Sequence, residues 1–210
     1  MHLAQPKRIA ATRSALQDLV RPPKRADARG NYSALLAAAD EVFTLHGPDA
    51  PLDEIARRAG VGNATLYRHF PTRRDLLVAV CVDEVEALCS LGEQLQSHAN
   101  AGEALTRWLR AYIDHVSSKN GLAAAFATGR REDSELVASC QAAITAVGTS
   151  LLRRARLEGA VRSSVGLQDL ITLVNAIAMA TESGGRGEAN RLLTLILEGV
   201  SSVPSRGPKR

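Results

Sequence analysis

Apolar positions along this 210-residue chain recur at spacings of three and four, and alternation with a period of two is hard to find. The pattern predicts an all-α protein of about nine helices. The first firm helix is expected over Tyr32–Leu45, where Leu35, Ala39, Val42, Phe43 and His46 fall on one face and Gly47-Pro48 ends the run. A second begins at Pro51 or Leu52 with Asp53 and Glu54 at its positive end; Leu52, Ile55, Ala56 and Ala59 face inward and Gly60 stops it. A third spans Asn63–His69. The fourth follows Pro71, is capped by Thr72, and carries Leu76, Leu77, Val80, Val85, Leu88 and Leu91 to about Gln96. Beyond it the stripes predict helices over Glu103–Ser118, Leu122–Thr128, Ser134–Leu157, Leu167–Thr181 and Glu188–Val200. Val137 is among the apolar positions of the Ser134–Leu157 stripe, which ends at Gly159, and Glu182–Gly187 joins the last two helices.

Composition adds little: 45% hydrophobic and 23% charged residues are ordinary globular values. The position of the charge adds more. Residues 1–30 hold seven basic side chains (Lys7, Arg8, Arg13, Arg21, Lys24, Arg25, Arg29) against Asp18 and Asp27, a local +5 within a net charge of +4. Residues 1–29 therefore read as a basic, mobile arm, with a short helix over Ile9–Val20 at most, because Pro22-Pro23 interrupts any longer one. Val203–Arg210, with two prolines and three basic residues, reads as a disordered tail. Cys81, Cys89 and Cys140 are odd in number and lack metal-pair spacing, so the simple expectation is a reduced cytoplasmic protein without a bound metal. No long apolar run suggests a secretory leader or a membrane span.

The chemistry concentrates in IARRAGVGNATLYRHFPTRRDLL, residues 55–77. Two short helices joined by a glycine corner form a helix-turn-helix. Ala56 lets the helices approach, Gly60 permits the corner, Val61 plugs it, and Leu66 and Phe70 anchor the second helix. Asn63, Ala64, Thr65, Tyr67, Arg68 and His69 are left to face outward. At a major groove Asn63 and Thr65 offer hydrogen bonds to base edges and Ala64 a contact for a thymine methyl. Tyr67, His69 and Arg73, at the helix exit, suit backbone phosphates.

LDEIARRAGVGNATLYRHFPTRRDLL resembles the N-terminal domain of the TetR/AcrR family of transcriptional regulators. Ile55, Ala56, Ala59, Gly60, Val61, Thr65, Leu66, Tyr67, His69, Phe70 and Arg73 match its pattern, and Leu36, Ala39, Phe43 and Gly47 extend the match over residues 32–80. Gly62 stands where members often have Ser, and Pro51 where many have Thr, so one side-chain cap and one phosphate contact are absent. The resemblance implies a DNA-binding domain over residues 30–75, a helical ligand-binding and dimerisation domain over 76–202, and a homodimer on a palindromic double-stranded operator.

The second half supports parts of that expectation. Helices 167–181 and 188–200 are apolar nearly all round, which suits burial against a second copy as well as their own domain. Leu170, Val174, Ile177, Leu192 and Ile196 are the interface candidates. Trp108, Tyr112, His115, Phe126 and Cys140 lie on or beside apolar faces, as residues lining a pocket for an unknown small-molecule effector would; each suits a packed core better still. No nucleophile motif, phosphate-cradling loop or metal-ligand pair points to an enzyme or a cofactor, and no spacing makes Cys140 and His115 a dyad. The competing expectation is an all-α interaction module with only nonspecific, arm-driven affinity for DNA; the intact outward set Thr65, Tyr67, His69 and Arg73 weighs against it.

Overall fold

The computed structural model describes residues 4–20, 22–118, 126, 130–181 and 185–201. Among them the helices are α1 (Ala4–Gln17), α2 (Ala26–His46), α3 (Leu52–Arg58), α4 (Asn63–His69), α5 (Arg73–Gln94), α6 (Ala101–Ser118), α7 (Arg131–Leu157), α8 (Leu167–Ala180) and α9 (Gly185–Val200). A 3₁₀ turn, Leu95–Ser97, follows α5, and one isolated antiparallel bridge joins Val161 to Ser201. The expected number of helices is met with different members. α1 is one of the nine, whereas the helix expected over Leu122–Thr128 lies, Phe126 apart, outside the described residues, as does the tail 203–210.

The chain forms two compact units that do not follow chain order: Met1–Ala87 with Ser118–Ile144, and Leu88–Ser117 with Thr145–Arg210. The boundary expected between residues 75 and 76 falls inside α5.

In the first unit the helix expected at most over Ile9–Val20 starts earlier, at Ala4, and ends at Gln17. Residues 4–17 are helical, Leu16 is fully buried, and α2 begins at Ala26, six residues before Tyr32. Asp27 sits at the positive end of α2, and Gly30, at a cost of about 1 kcal/mol, is too weak a breaker to delay it. Tyr32, Leu35, Leu36, Ala39, Val42 and Phe43 are buried, but the stripe stops there: His46 is exposed in the last turn. α2 packs on α3, and α3 on α4. Pro51 is the extended N-cap of α3 and not its first helical residue.

The corner after α3 closes as a Schellman motif. Gly60, at φ +69°, donates to the Arg57 carbonyl at 3.2 Å, and Val61 donates to the Ala56 carbonyl at 3.0 Å. A side chain at residue 60 would be strained whatever space surrounds it. After α4, Thr72 and Asp75 cap α5 reciprocally: the Asp75 amide donates to Thr72 Oγ1 at 3.2 Å and the Thr72 amide to Asp75 Oδ2 at 2.9 Å.

The second unit is built around Trp108, which has no exposed surface and donates its indole N–H to the Leu88 carbonyl at 3.3 Å. Its ring stacks on Tyr112, with centroids 5.9 Å apart and planes 8° from parallel. Gly92 and Gly148 face it: a Cβ at Gly148 would lie 2.7 Å from Trp108 Cη2. Arg154 holds this unit's turn together, donating to the carbonyls of Leu95 at 3.1 Å, Gln96 at 2.6 Å and His98. α8 and α9 pack on each other. α7 is long and apolar enough, by length and composition, to cross a membrane, but Leu136, Cys140, Ala143, Ile144, Val147, Leu151 and Ala155 give it a buried core stripe; Val137 is exposed, contrary to expectation.

Candidate nucleic-acid interface

α4 is a seven-residue helix, about 10 Å long, so its face must be shared economically. Leu66 is 1% exposed and Phe70 3%, which fixes the inner side. Asn63, Ala64, Tyr67 and Arg68 are exposed, with Tyr67 at 48%, while Thr65 and His69 are half-buried. Gly62 caps the helix with an extended backbone and its carbonyl alone, receiving the Thr65 amide at 2.8 Å; no side chain contributes.

Not all of the expected outward set is free. Asn63 Nδ2 donates to Asp53 Oδ1 at 3.0 Å, tying α4 back to α3. No sequence signal marked Asp53 as its partner across ten residues. His69 leans on Tyr32, edge to face with centroids 6.0 Å apart, and Tyr32 also packs on Phe70 at 5.0 Å. The larger departure is Arg73. Its guanidinium donates to the carbonyls of Pro48 at 3.0 Å and Ala50 at 2.5 Å, so it pins the α2–α3 loop and does not reach outward for a phosphate. Those two carbonyls lie beyond the C-terminal end of α2 with no helical partner, which makes a nearby cation the natural donor.

Next to Arg73 the structure contains a device that sequence reading missed. Arg74 bonds Asp133 through Nε at 3.1 Å and Nη2 at 2.5 Å, with Glu132 at 3.6 Å. Asp133 is 2% exposed, and the pair fastens the start of α5 to the start of α7 within the first unit. Burial, reinforced by the carboxylates of Asp83 and Glu86, pushes the Tyr32 phenol up to about 12. A groove of about 380 Å³ opens beside it, lined by Val20, Tyr32, His69, Phe70, Arg74 and Val78 among others.

The pocket candidates divide between the units: Trp108, Tyr112 and His115 in the second, Phe126 and Cys140 in the first. Trp108 is core, held between two glycines, and Tyr112 is 7% exposed with its hydroxyl donating to Asn175 Oδ1 at 3.1 Å. Among the interface candidates, Leu170, Val174 and Ile177 are corrected. They are at most 6% exposed in the single chain and so face its own interior. Leu192 and Ile196 are half-buried. Among the described residues, the large apolar side chains exposed on these helices are Leu173 (39%), Met179 (71%) and Leu195 (54%).

A family model described as bacterial regulatory proteins, tetR family, matches residues 35–80, and one described as transcriptional regulator SbtR-like, C-terminal domain, matches residues 100–202. The crystal structure of the TetR transcriptional regulator SCO0520 from Streptomyces coelicolor is 36% identical, with a TM-score of 0.71 over 81% of this chain and 98% of that one. A TetR regulatory protein from Mycobacterium vanbaalenii is 32% identical, with a TM-score of 0.69 over 85% and 99%. The HTH-type transcriptional activator FasR of Mycolicibacterium smegmatis is 37% identical over 84 residues, 39% of this chain; the match spans only 38% of that protein's length.

Proposed function

The chain belongs to the TetR family of DNA-binding transcriptional regulators, and from that premise we propose that it acts as a homodimeric repressor, released from a palindromic operator by a small molecule. The observation that carries the DNA-reading role is the division of α4. Leu66 and Phe70 are committed to the core while Asn63, Ala64, Tyr67 and Arg68 remain open to solvent on a helix short enough to enter a groove by its N-terminal end. In this reading Asn63, Ala64 and Thr65 meet base edges, and Tyr67, Arg68 and His69 meet the flanking backbone. Arg73 acts indirectly, by holding the loop that supports α3.

Seven residues read few bases, so two copies related by a twofold axis are needed for a selective site. Leu173 and Met179 on α8 and Leu195 on α9 supply the self-complementary apolar surface, flanked by Leu192 and Ile196. The effector binds the second unit, where the Tyr112 hydroxyl, Asn175 and His115 are polar groups among apolar ones. It releases DNA only by preferring a conformation that holds the two reading helices at the wrong spacing.

The test is selection of bound fragments from a genomic DNA library at moderate salt. A shared palindrome is the expected product; recovery of random fragments alone would leave only nonspecific electrostatics. Tyr67→Ala should abolish binding to that palindrome with the dimer intact in sedimentation, and Met179→Asp with Leu195→Asp should give monomers. A second reading, activation, has one observation behind it, the likeness to the transcriptional activator of M. smegmatis. A reporter carrying the selected site decides between them: repression lowers its expression in the presence of the protein and activation raises it.

A further inference from the structure

Cys81 on α5 and Cys140 on α7 place their Sγ atoms 4.0 Å apart, although 59 residues separate them. The contact lies along a seam that an ion pair also marks. Arg74 and Asp133 meet on the same two helices, and the steps from 74 to 81 and from 133 to 140 are both seven residues. Seven residues are two turns, about 10.5 Å, so α5 and α7 run side by side in the same direction there. The ion pair fastens the end nearest α4, and the two sulfurs sit two turns further on, all within the first unit. Cys81 is half-buried and reachable from solvent; Cys140 is 8% exposed. An accessible thiol with a shielded one in contact is the arrangement of an attacking and a resolving cysteine.

We propose that Cys81 and Cys140 form a reversible intrachain disulfide when the protein meets a peroxide. The Cys81 thiol gives up its proton and its thiolate attacks the hydroxyl oxygen of the peroxide; the O–O bond breaks, and the departing alkoxide (hydroxide, for hydrogen peroxide) takes up that proton and leaves as an alcohol (or water). Cys81 is then a sulfenic acid. The Cys140 sulfur attacks it, forming S–S, and hydroxide departs as water with the Cys140 proton. Two thiols lose two electrons in total and the peroxide gains them. A disulfide needs its sulfurs about 2 Å closer than they stand. With the Arg74–Asp133 pair fixing one end of the seam, closure draws α5 against α7 at the other. α5 follows α4 after only Phe70, Pro71 and Thr72, so its tilt re-aims the reading helix. This last consequence rests on the DNA-binding reading above.

The full chain is reduced, challenged with hydrogen peroxide, alkylated, and mapped by peptide mass spectrometry without reductant. A linked Cys81–Cys140 peptide is expected, lost in Cys81→Ser and in Cys140→Ser and kept in Cys89→Ser. Affinity for the selected palindrome should change on the order of tenfold on oxidation and return with dithiothreitol. Sulfinic acid at Cys81 with Cys140 unmodified, or links between chains only, overturns the pair. A quantitative intrachain link with unchanged affinity overturns the switch. If the reduced protein selects no palindrome, the regulator reading fails, while the peptide map still decides the disulfide.

Discussion

Replacing Gly92 by alanine tests whether Trp108 is core or pocket wall. Gly92 is buried near the end of α5, and an added Cβ would lie 2.1 Å from Val147 Cγ1, 3.0 Å from Trp108 Nε1 and 3.1 Å from Trp108 Cδ1. Carbon atoms rest about 3.5–4.0 Å apart, so Val147 must withdraw by roughly 1.5 Å. It has nowhere to go. Valine in a helix has one strongly preferred rotamer, and Val147 has no exposed surface. Trp108 is equally enclosed and bonded to the Leu88 carbonyl. Overpacking of this kind costs about 1–3 kcal/mol and sometimes more, against about 1 kcal/mol gained from alanine's better helix propensity. The net expectation is destabilisation of up to about 2 kcal/mol, a Tm lower by up to roughly 4–8 °C for a chain of this size. Thermal melts followed by circular dichroism read it directly. Gly30→Ala is the control: it lies exposed in α2 with nothing within 4 Å of an added Cβ, and should gain about 0.5–1 kcal/mol. If both variants melt higher than the parent, Trp108 has room to move and the packed-core reasoning is wrong.

Arg73→Ala should lower the urea midpoint of the DNA-free protein by the equivalent of about 2 kcal/mol, since two carbonyls lose a charged donor; a pure phosphate contact would leave that midpoint unmoved. Arg74→Ala takes two charged hydrogen bonds from the buried Asp133 carboxylate and should cost about 2–3 kcal/mol, whereas Arg74→Met with Asp133→Leu should recover most of it, as a double-mutant cycle in urea will measure. Tyr32 gives a pH signature: between the unfolded phenol's pKa of about 10 and the folded value of about 12 the native state holds a proton that the unfolded chain has released, so stability falls as pH rises through that window. Well below pH 10 both states are neutral and the term is flat; Tyr32→Phe should shrink the decline in urea midpoints at alkaline pH, leaving the part due to Tyr112, whose phenol burial also pushes up.

The corner was legible because its residues are constrained one by one. Gly60 is required by its φ, Leu66 and Phe70 by the core, and what remains of α4 must then face outward. Helix existence was legible for the same reason, through the period of the buried stripe. Starts and partners were not. Nothing local distinguishes Ala26 from Tyr32 as the start of α2, because a lone Gly30 is a small penalty that tertiary packing overrides. Arg73 and Arg74 are adjacent arginines with identical local statistics. One answers two carbonyls some 25 residues upstream and the other a carboxylate 59 residues downstream. The apolar rings of α8 and α9 showed that these helices have more than one buried side, but not which residues face the chain's own interior. Burial reverses the choice, with Leu170, Val174 and Ile177 inside and Leu173 and Met179 outside.

The two arginines also explain how so short a helix can be aimed. A two-turn helix with no side-chain N-cap has little stability of its own, since isolated helices need about 12–15 residues to persist. Its direction is imposed by what grips it: the Asp53–Asn63 bond and the Schellman corner at its start, Phe70 against Tyr32 at its end, and the Thr72–Asp75 cap that launches α5. Arg73 fixes that launch to the α2–α3 loop and Arg74 fixes it to α7. The orientation of the exposed face of α4 is therefore set at the first turn of α5. Any event that shifts α5 along its seam with α7 reaches α4 through three intervening residues, without having to unfold anything.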